Sequence, residues 1–536
     1  MTREFYREEN SKTKGFVRWA LSLIFIGLLA FGLFSFLKTE GRFAGEFLKG
    51  KFALVFGEIT SDALSKKAIA SNLEKSGVKF INELPSNIAL GAGNSNEKNI
   101  VSKMYGQSLS MFRGNPTRSW YGTGAIPKNP TIEWRYPDKP MCSESSDKGE
   151  TRVWCGNGWT GQPVVYDHDG MTEIIFGAYD KNVHFVNAET GKDTRAPFVT
   201  GDIIKGSVTL DPDGLPLLYF GSRDNKLRIV SLENGGALEL WSLDSKDLPG
   251  IWNDDWDSNP LIMDDILFTG GENGWFFAIK LNRGKDVNGD VSVAPEILFT
   301  TPGYDDALLA KVGNNVSIEN SVAMFEDTVY FANSGGRIMG LDIKHVEDGV
   351  APVVFDYWVG DDVDASIVID EDGNLYVAAE EERLNARSKE IGQLIKLDPT
   401  KADPLVWSVK VPSKAQYVMG GIWATPALHE NFIYVATNPG ELLGINKTTG
   451  EVIFRDNIGA HAWSSPIISE KELLVTTCDG RLRTYSLANP EKPEFVSEFS
   501  IPTKSCIEST PALWDGNLYF GARDGYFYKL SESSTI

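Results

Sequence analysis

The chain has 536 residues, 42% of them hydrophobic and 11% aromatic, with a net charge of −21. That much apolar material can bury a large core, which excludes a disordered chain. The charge excludes a nucleic-acid partner, since no basic face is left to crowd phosphates; it suits solubility, cations or a basic partner.

Arg18 and Lys38 bracket residues 19–37, an uncharged run rich in Leu, Ile and Phe. Its length spans a bilayer and exceeds the apolar core of a cleaved leader. No small-x-small cleavage site follows it. Arg3, Arg7, Lys12, Lys14 and Arg18 precede the run, against Lys38, Arg42, Lys49 and Lys51 after it. The expectation is a cytoplasmic tail over 1–14, one uncleaved transmembrane anchor over 15–38, and a periplasmic or extracellular body. Residues 39–110 read as a partly helical stalk, with Leu64, Ala68 and Leu73 on one side of a helix near 61–76.

Four cysteines occur, Cys142, Cys155, Cys478 and Cys506, and none lies in a Cys-x-x-Cys pair. Zinc-ribbon and thioredoxin chemistry are thereby disfavoured. An oxidising compartment and the pairs Cys142–Cys155 and Cys478–Cys506 are expected; four buried free thiols are the alternative.

After a lead-in over 111–127, residues 131–136 form a lone alternating strand carrying Trp134, and a polar loop joins Cys142 to Cys155. A repeat follows. Its clearest copy, residues 508–530, has three apolar runs split by Asp515-Gly516 and Asp524-Gly525, a strong hairpin signal. Copies begin at Pro163, Val208, Pro260, Val322, Ile367, Pro426, Pro466 and Pro511, at intervals of 40–62 residues. Most close on an aromatic outer strand, marked by Phe198, Trp241, Phe299, Trp358, Trp407, Phe454 and Phe495. The eighth copy stops after its third run, and the lone strand at Trp134 can supply the fourth. The prediction is an all-β, eight-bladed β-propeller over 111–536, closed by an N-terminal strand.

The sequences Asn187-Ala188-Glu189-Thr190-Gly191-Lys192 and Asn446-Lys447-Thr448-Thr449-Gly450-Glu451 carry a specific pattern. With Thr425-Pro426, Ser465-Pro466, Thr510-Pro511 and the lead-in Phe112-Arg113-Gly114-Asn115-Pro116, it resembles the pyrroloquinoline-quinone-type (PQQ-like) propeller repeats. The resemblance covers about residues 111–530. It implies the fold and leaves activity open, because such propellers include quinoprotein dehydrogenases and cofactor-free scaffolds such as the lipoprotein subunit of the outer-membrane β-barrel assembly machine. The chain lacks the adjacent cysteines those dehydrogenases often carry under the quinone, and lacks a Cys-x-x-Cys-His haem site.

In propellers the loops leading to the innermost strands crowd the central channel. Here those loops bring Lys205, Asp254, Asp255, Asp257, Glu319, Asn320, Asp361, Asp362, Asp364, His461 and Glu508, with Trp252, Trp256, Trp423 and Trp463. As a ligand or partner face, the set is Lys205, Trp252, Asp254, Trp256, Asp257, Trp423, Trp463 and Glu508. As a quinoprotein site, the resemblance implies calcium on Glu319, Asn320 and Asp364, quinone (PQQ) beside it, and Asp257 as base. The bland alternative is turn capping by the acids and packing by the tryptophans. Residues 380–383, Glu-Glu-Glu-Arg, read as a solvated hairpin tip. The five histidines are too dispersed for a zinc set, and no Gly-x-Ser-x-Gly or phosphate-binding loop occurs. The expected role is a cofactor-free scaffold for an envelope protein partner. The alternatives are a calcium- and PQQ-dependent oxidoreductase acting on alcohols or sugars, and a polysaccharide-binding module.

Overall fold

A computed structural model describes residues 108–533, apart from 148, 160 and 415–418. The anchor expected over 15–38 lies outside them, as does nearly all of the stalk. Among the described residues no helix is long and apolar enough to cross a membrane.

Those residues form eight four-stranded antiparallel sheets, the blades of a propeller. The innermost strands begin at Val164, Thr209, Leu261, Ala323, Val368, Ala427, Ile467 and Ala512, each one residue past the position read from the repeat. Second strands such as Ile266–Gly270 are buried throughout. A strand sends alternate side chains to opposite faces, and each blade is clasped between two neighbours, so both faces need apolar residues. Outer strands such as Glu494–Ser500 lie at the rim and are largely exposed.

The seam closes as the repeat count requires. Pro130–Tyr136 pairs antiparallel with Phe527–Glu532, the third strand of the eighth blade, with Trp134 opposite Lys529. The Trp134 indole then reaches the first blade, where its Nε1 donates to the Ala188 carbonyl at 3.0 Å. Gly191 lets the ring lie against the backbone, since a Cβ there would fall 2.6 Å from it. Trp407 repeats this lock on the next blade, donating to the Lys447 carbonyl and packing on Gly450. Tyr136 adds a polar clasp, bonded to His184 Nδ1 at 2.8 Å and donating to Asp193 Oδ1 at 2.7 Å.

The lead-in fills the hub. Its Leu109, Ser110, Pro116 and Thr117 carbonyls accept from Val165, Leu210, Met324 and Ile369 of blades 1, 2, 4 and 5. Phe112 N–H reaches Asn259, which leads into blade 3, and the Tyr121 hydroxyl accepts from Leu428 N–H in blade 6. Ser469 of blade 7 donates to the Gly124 carbonyl, and Thr123 donates to Leu513 of blade 8. One segment thus touches every blade. Arg113 and Arg118 are fully buried in it. Arg113 donates to the Pro466 and Pro426 carbonyls, and Arg118 to that of Val322 at 2.7 Å, so chain carbonyls solvate the guanidinium groups.

Both expected disulfides are present, Cys142–Cys155 and Cys478–Cys506. The polar Cys142 to Cys155 loop is a two-stranded hairpin, Cys142–Asp147 against Glu150–Cys155.

Candidate functional site

Strands in a blade run alternately up and down. The loops leading to the innermost strands and the turns between second and third strands therefore meet on one face. Around its mouth the second residue past each second strand is Tyr179, Arg223, Glu272, Ser334, Glu380, Asn438, Cys478 and Arg523. In the sequence these positions read as polar or Gly turns, apart from Glu380, read as a solvated tip, and Cys478, read as a disulfide partner. The missed signal is positional: charge, amide and aromatic groups recur at one offset in successive repeats.

Lys205 holds the first sector. Its ammonium contacts Asp257 and lies 3.2 Å from Glu272 Oε1. Asn253 donates to the other Glu272 oxygen at 2.7 Å. Oxygens of Asp257, Glu272 and Glu319 lie within 4.8 Å of one another. Burial alone would lower the Lys205 pKa, yet Asp257 and Glu272 carry it well above its usual value. Burial also pushes up Asp257 and Glu319. Glu272 stays below its usual value despite burial, because Lys205 and its hydrogen-bond donors favour the carboxylate.

Two more acids carry their own cation. Arg223 pairs with Asp255 at 2.6 Å and lies over the Trp154 ring. Arg523 lies 3.5 Å from Glu508 and over the Trp154 and Tyr179 rings. Burial, then Glu272, pushes Asp255 up to about 8, and burial raises Glu508.

The next sector differs. Asp362, Asp364 and Glu380 are buried together, and the Glu380 N–H donates to the Asp362 carbonyl. Burial, then Glu319, pushes Asp362 up to about 8, while burial and neighbouring carboxylates raise Asp364 and Glu380 well above their usual range. Glu380 is therefore no solvated tip. It pairs in register with Gly421, and Arg383 donates to the Ser334, Val312 and Asn315 carbonyls; only Glu382 of that run is fully exposed. The insertion is folded down because its acid and guanidinium both find partners at the mouth.

Beside Gly421 stands a ladder of rings. Trp423 and Trp463 lie 4.7 Å apart, and His461 stacks on Trp463 at 5.0 Å. Trp159, which precedes blade 1, stacks on Trp423 at 6.0 Å and 5°. Blades 1 and 6 are not neighbours, so these two rings meet over the mouth.

The remaining expected residues are placed otherwise. Trp256 is not on a partner face: it is 1% exposed, donates to the Asn225 carbonyl and packs on Phe277 in the core. Asn320 is fully buried and ties blade 4 to blade 5, donating to the Ala332 and Val363 carbonyls and accepting from Ala332 N–H. Asp364 does lie close enough to Glu319 to raise it, after burial. Asp361 caps the insertion, accepting from the Glu382 and Arg383 N–H groups and from Ser388. Trp252 is 40% exposed, and Asp254 is half-buried at the rim.

Blade number and seam together define an eight-bladed β-propeller. Over residues 391–492 the chain matches the family described as outer membrane protein assembly factor BamB. No curated protein matches it in sequence. Among solved structures, a europium-containing methanol dehydrogenase is 10% identical, covering 80% of this chain and 99% of its own at a TM-score of 0.56. The quinohemoprotein alcohol dehydrogenase of Comamonas testosteroni is 12% identical, covering 81% and 82% at 0.54. BamB from Moraxella catarrhalis is 15% identical, covering 76% and 99% at 0.47. At such identities the dehydrogenases share the fold alone.

Proposed function

We propose that this chain is a membrane-anchored propeller displayed outside the cytoplasm, and that it binds a protein partner as an envelope-assembly scaffold without a cofactor. The observation that carries this reading is the ammonium of Lys205 between Asp257 and Glu272, a cation supplied by the chain itself in the mouth. The assembly-factor match over 391–492 supports it. So do the uncharged run at 19–37 and the two disulfides, which suit an anchored protein in an oxidising compartment. Crosslinking in intact membranes followed by pull-down is expected to give one partner in stoichiometric amount. Recovery of the propeller alone would remove the scaffold reading.

The oxygens of Asp257, Glu272 and Glu319 favour a second reading, since calcium takes such ligands. Against it, Lys205 already lies among them, and Arg223, which could face an anionic quinone, is paired with Asp255. The residues present fit calcium in kind and fit the quinone poorly. Adding PQQ and calcium to the purified protein tests this: a bound-cofactor absorbance with dye-linked alcohol or sugar oxidation would establish the enzyme. The stacked indoles would also suit a sugar ring, which a polysaccharide pull-down would detect.

A further inference from the structure

The junction of blade 5 with blade 6 and that of blade 8 with blade 1 are built alike. In each, a buried tyrosine of the second strand pairs with a lysine of the third: Tyr376 with Lys396, and Tyr519 with Lys529. Each lysine pairs in turn with the outer-strand tryptophan, Trp407 or Trp134, whose ring lies 6.1 Å from the tyrosine in both junctions. Each indole donates to a carbonyl of the next blade, that of Lys447 or of Ala188.

Two residues differ. Asp370 accepts from the Tyr376 hydroxyl at 2.7 Å, and Trp514 stands at the corresponding place in blade 8. Lys447 crosses the first junction to reach Glu371 at 2.7 Å, and its carbonyl also accepts from Lys396; Ala188 stands in its place at the second. The chain therefore fills and satisfies the first junction. At the second, on the face opposite the mouth, a cavity of about 270 Å³ remains, lined by Ala188, Trp514, Tyr519 and Lys529, with Asp515 and Glu189 exposed at its edge. Tyr519 is 2% exposed, and among the described residues neither its hydroxyl nor the Lys529 ammonium has a hydrogen bond or ion pair. Trp514 Nε1 is buried without a partner as well. Burial, then Asp515 and Asp167, raises the Tyr519 phenol above its usual value, so it stays a donor.

Three donors without partners call for acceptors. An amine or guanidinium has none to offer. A carboxylate or phosphate would meet Asp515, Glu189 and Asp167, three acids against one lysine, and like charges repel. Hydroxyl groups accept and donate at once, so they answer the donors inside and the acids at the edge. The indole and phenol rings offer apolar faces to a sugar ring. The volume lies just under the usual range for ligand pockets, which suits one ring.

We infer that the cavity between blades 8 and 1 binds a single neutral sugar ring, held by Tyr519 and Lys529. This site is separate from the mouth and independent of the scaffold reading.

The test uses the full-length protein with glucose, galactose, mannose and N-acetylglucosamine, and acetate and butylamine as charged controls. Calorimetry and saturation-transfer NMR are expected to show saturable binding of at least one sugar and of neither control. Tighter binding of the matching hexasaccharide would mark the end of a glycan as the source, and equal binding a free sugar. Tyr519→Phe removes a hydroxyl that bonds nothing in the chain, so the fold should stand while affinity falls at least tenfold. Ala188→Lys supplies the side chain that fills the sister junction; it should abolish binding while the thermal unfolding midpoint holds or rises. Binding of no sugar, preference for acetate, or full affinity in either variant would overturn the inference. Sugar binding that survives Ala188→Lys and is lost in Trp463→Leu would overturn it too, by placing the sugar on the indoles of the mouth.

Discussion

Lys205 decides how the mouth is held together. Removing one member of a buried ion group strands the others, at a cost of about 3–5 kcal/mol. Lys205→Met should therefore destabilise the protein by that order in urea unfolding, and Asp257→Asn in the same chain should recover part of the loss. The sign of the pH dependence follows from Asp362, which has no cation paired with it among the described residues and is pushed up to about 8 from an ordinary value near 4. Its folded form holds a proton that the unfolded chain has released. The stability this gives is complete below the ordinary value and is lost as pH rises through about 8. The urea midpoint should thus fall between pH 6 and pH 9, with a shallower slope in Asp362→Asn. An acid just before a strand was legible in the sequence, and Asp257, Glu319, Asp364 and Glu508 were found that way. Glu272, Arg223 and Arg523 were not, because a charged residue in a Gly- or Asp-rich turn reads the same whether it points out or in.

The strands were the most legible elements, since apolar runs between turn residues leave little choice of ladder. The donated strand could be placed because one unit lacked a partner that another segment could supply. The inter-blade lock was less visible. Gly191 and Gly450 read as turn glycines, and that each receives an indole from the preceding blade depends on distances between blades. Trp134→Ala should cost about 3–5 kcal/mol by loss of a large packed side chain, and Trp407→Ala a similar amount, in thermal or urea unfolding. A matching loss from two sites far apart in sequence would mark a repeated device; a neutral Trp134→Ala would mean that backbone pairing alone holds the seam. The insertion at 380–383 was misread for the opposite reason, since a run of charges usually lies in water, and here Glu380 and Arg383 are drawn in by Gly421 and three carbonyls.

Across the whole molecule, the ring presents a mouth at one face and a filled hub beneath it. Arg113→Met leaves the Pro426 and Pro466 carbonyls without their donor in a buried place, which should cost about 2 kcal/mol or more by urea unfolding. If the hub merely fills space, the isosteric change would be neutral. No local pattern forecasts that residues 109–124 contact all eight blades, because each blade is met through only a few hydrogen bonds to residues far away in sequence.

That thread has a consequence for how the chain is made. Synthesis delivers residues 109–136 early, but their anchorage is spread over sheets not yet finished, the last of them at Phe527–Glu532. A segment made before any blade is therefore among the last to settle, and until then Arg113 and Arg118 lack the carbonyls that solvate them. Loss of Phe527–Glu532 would leave Pro130–Tyr136 without its mate, so a lesion on either side of the seam would be felt on both.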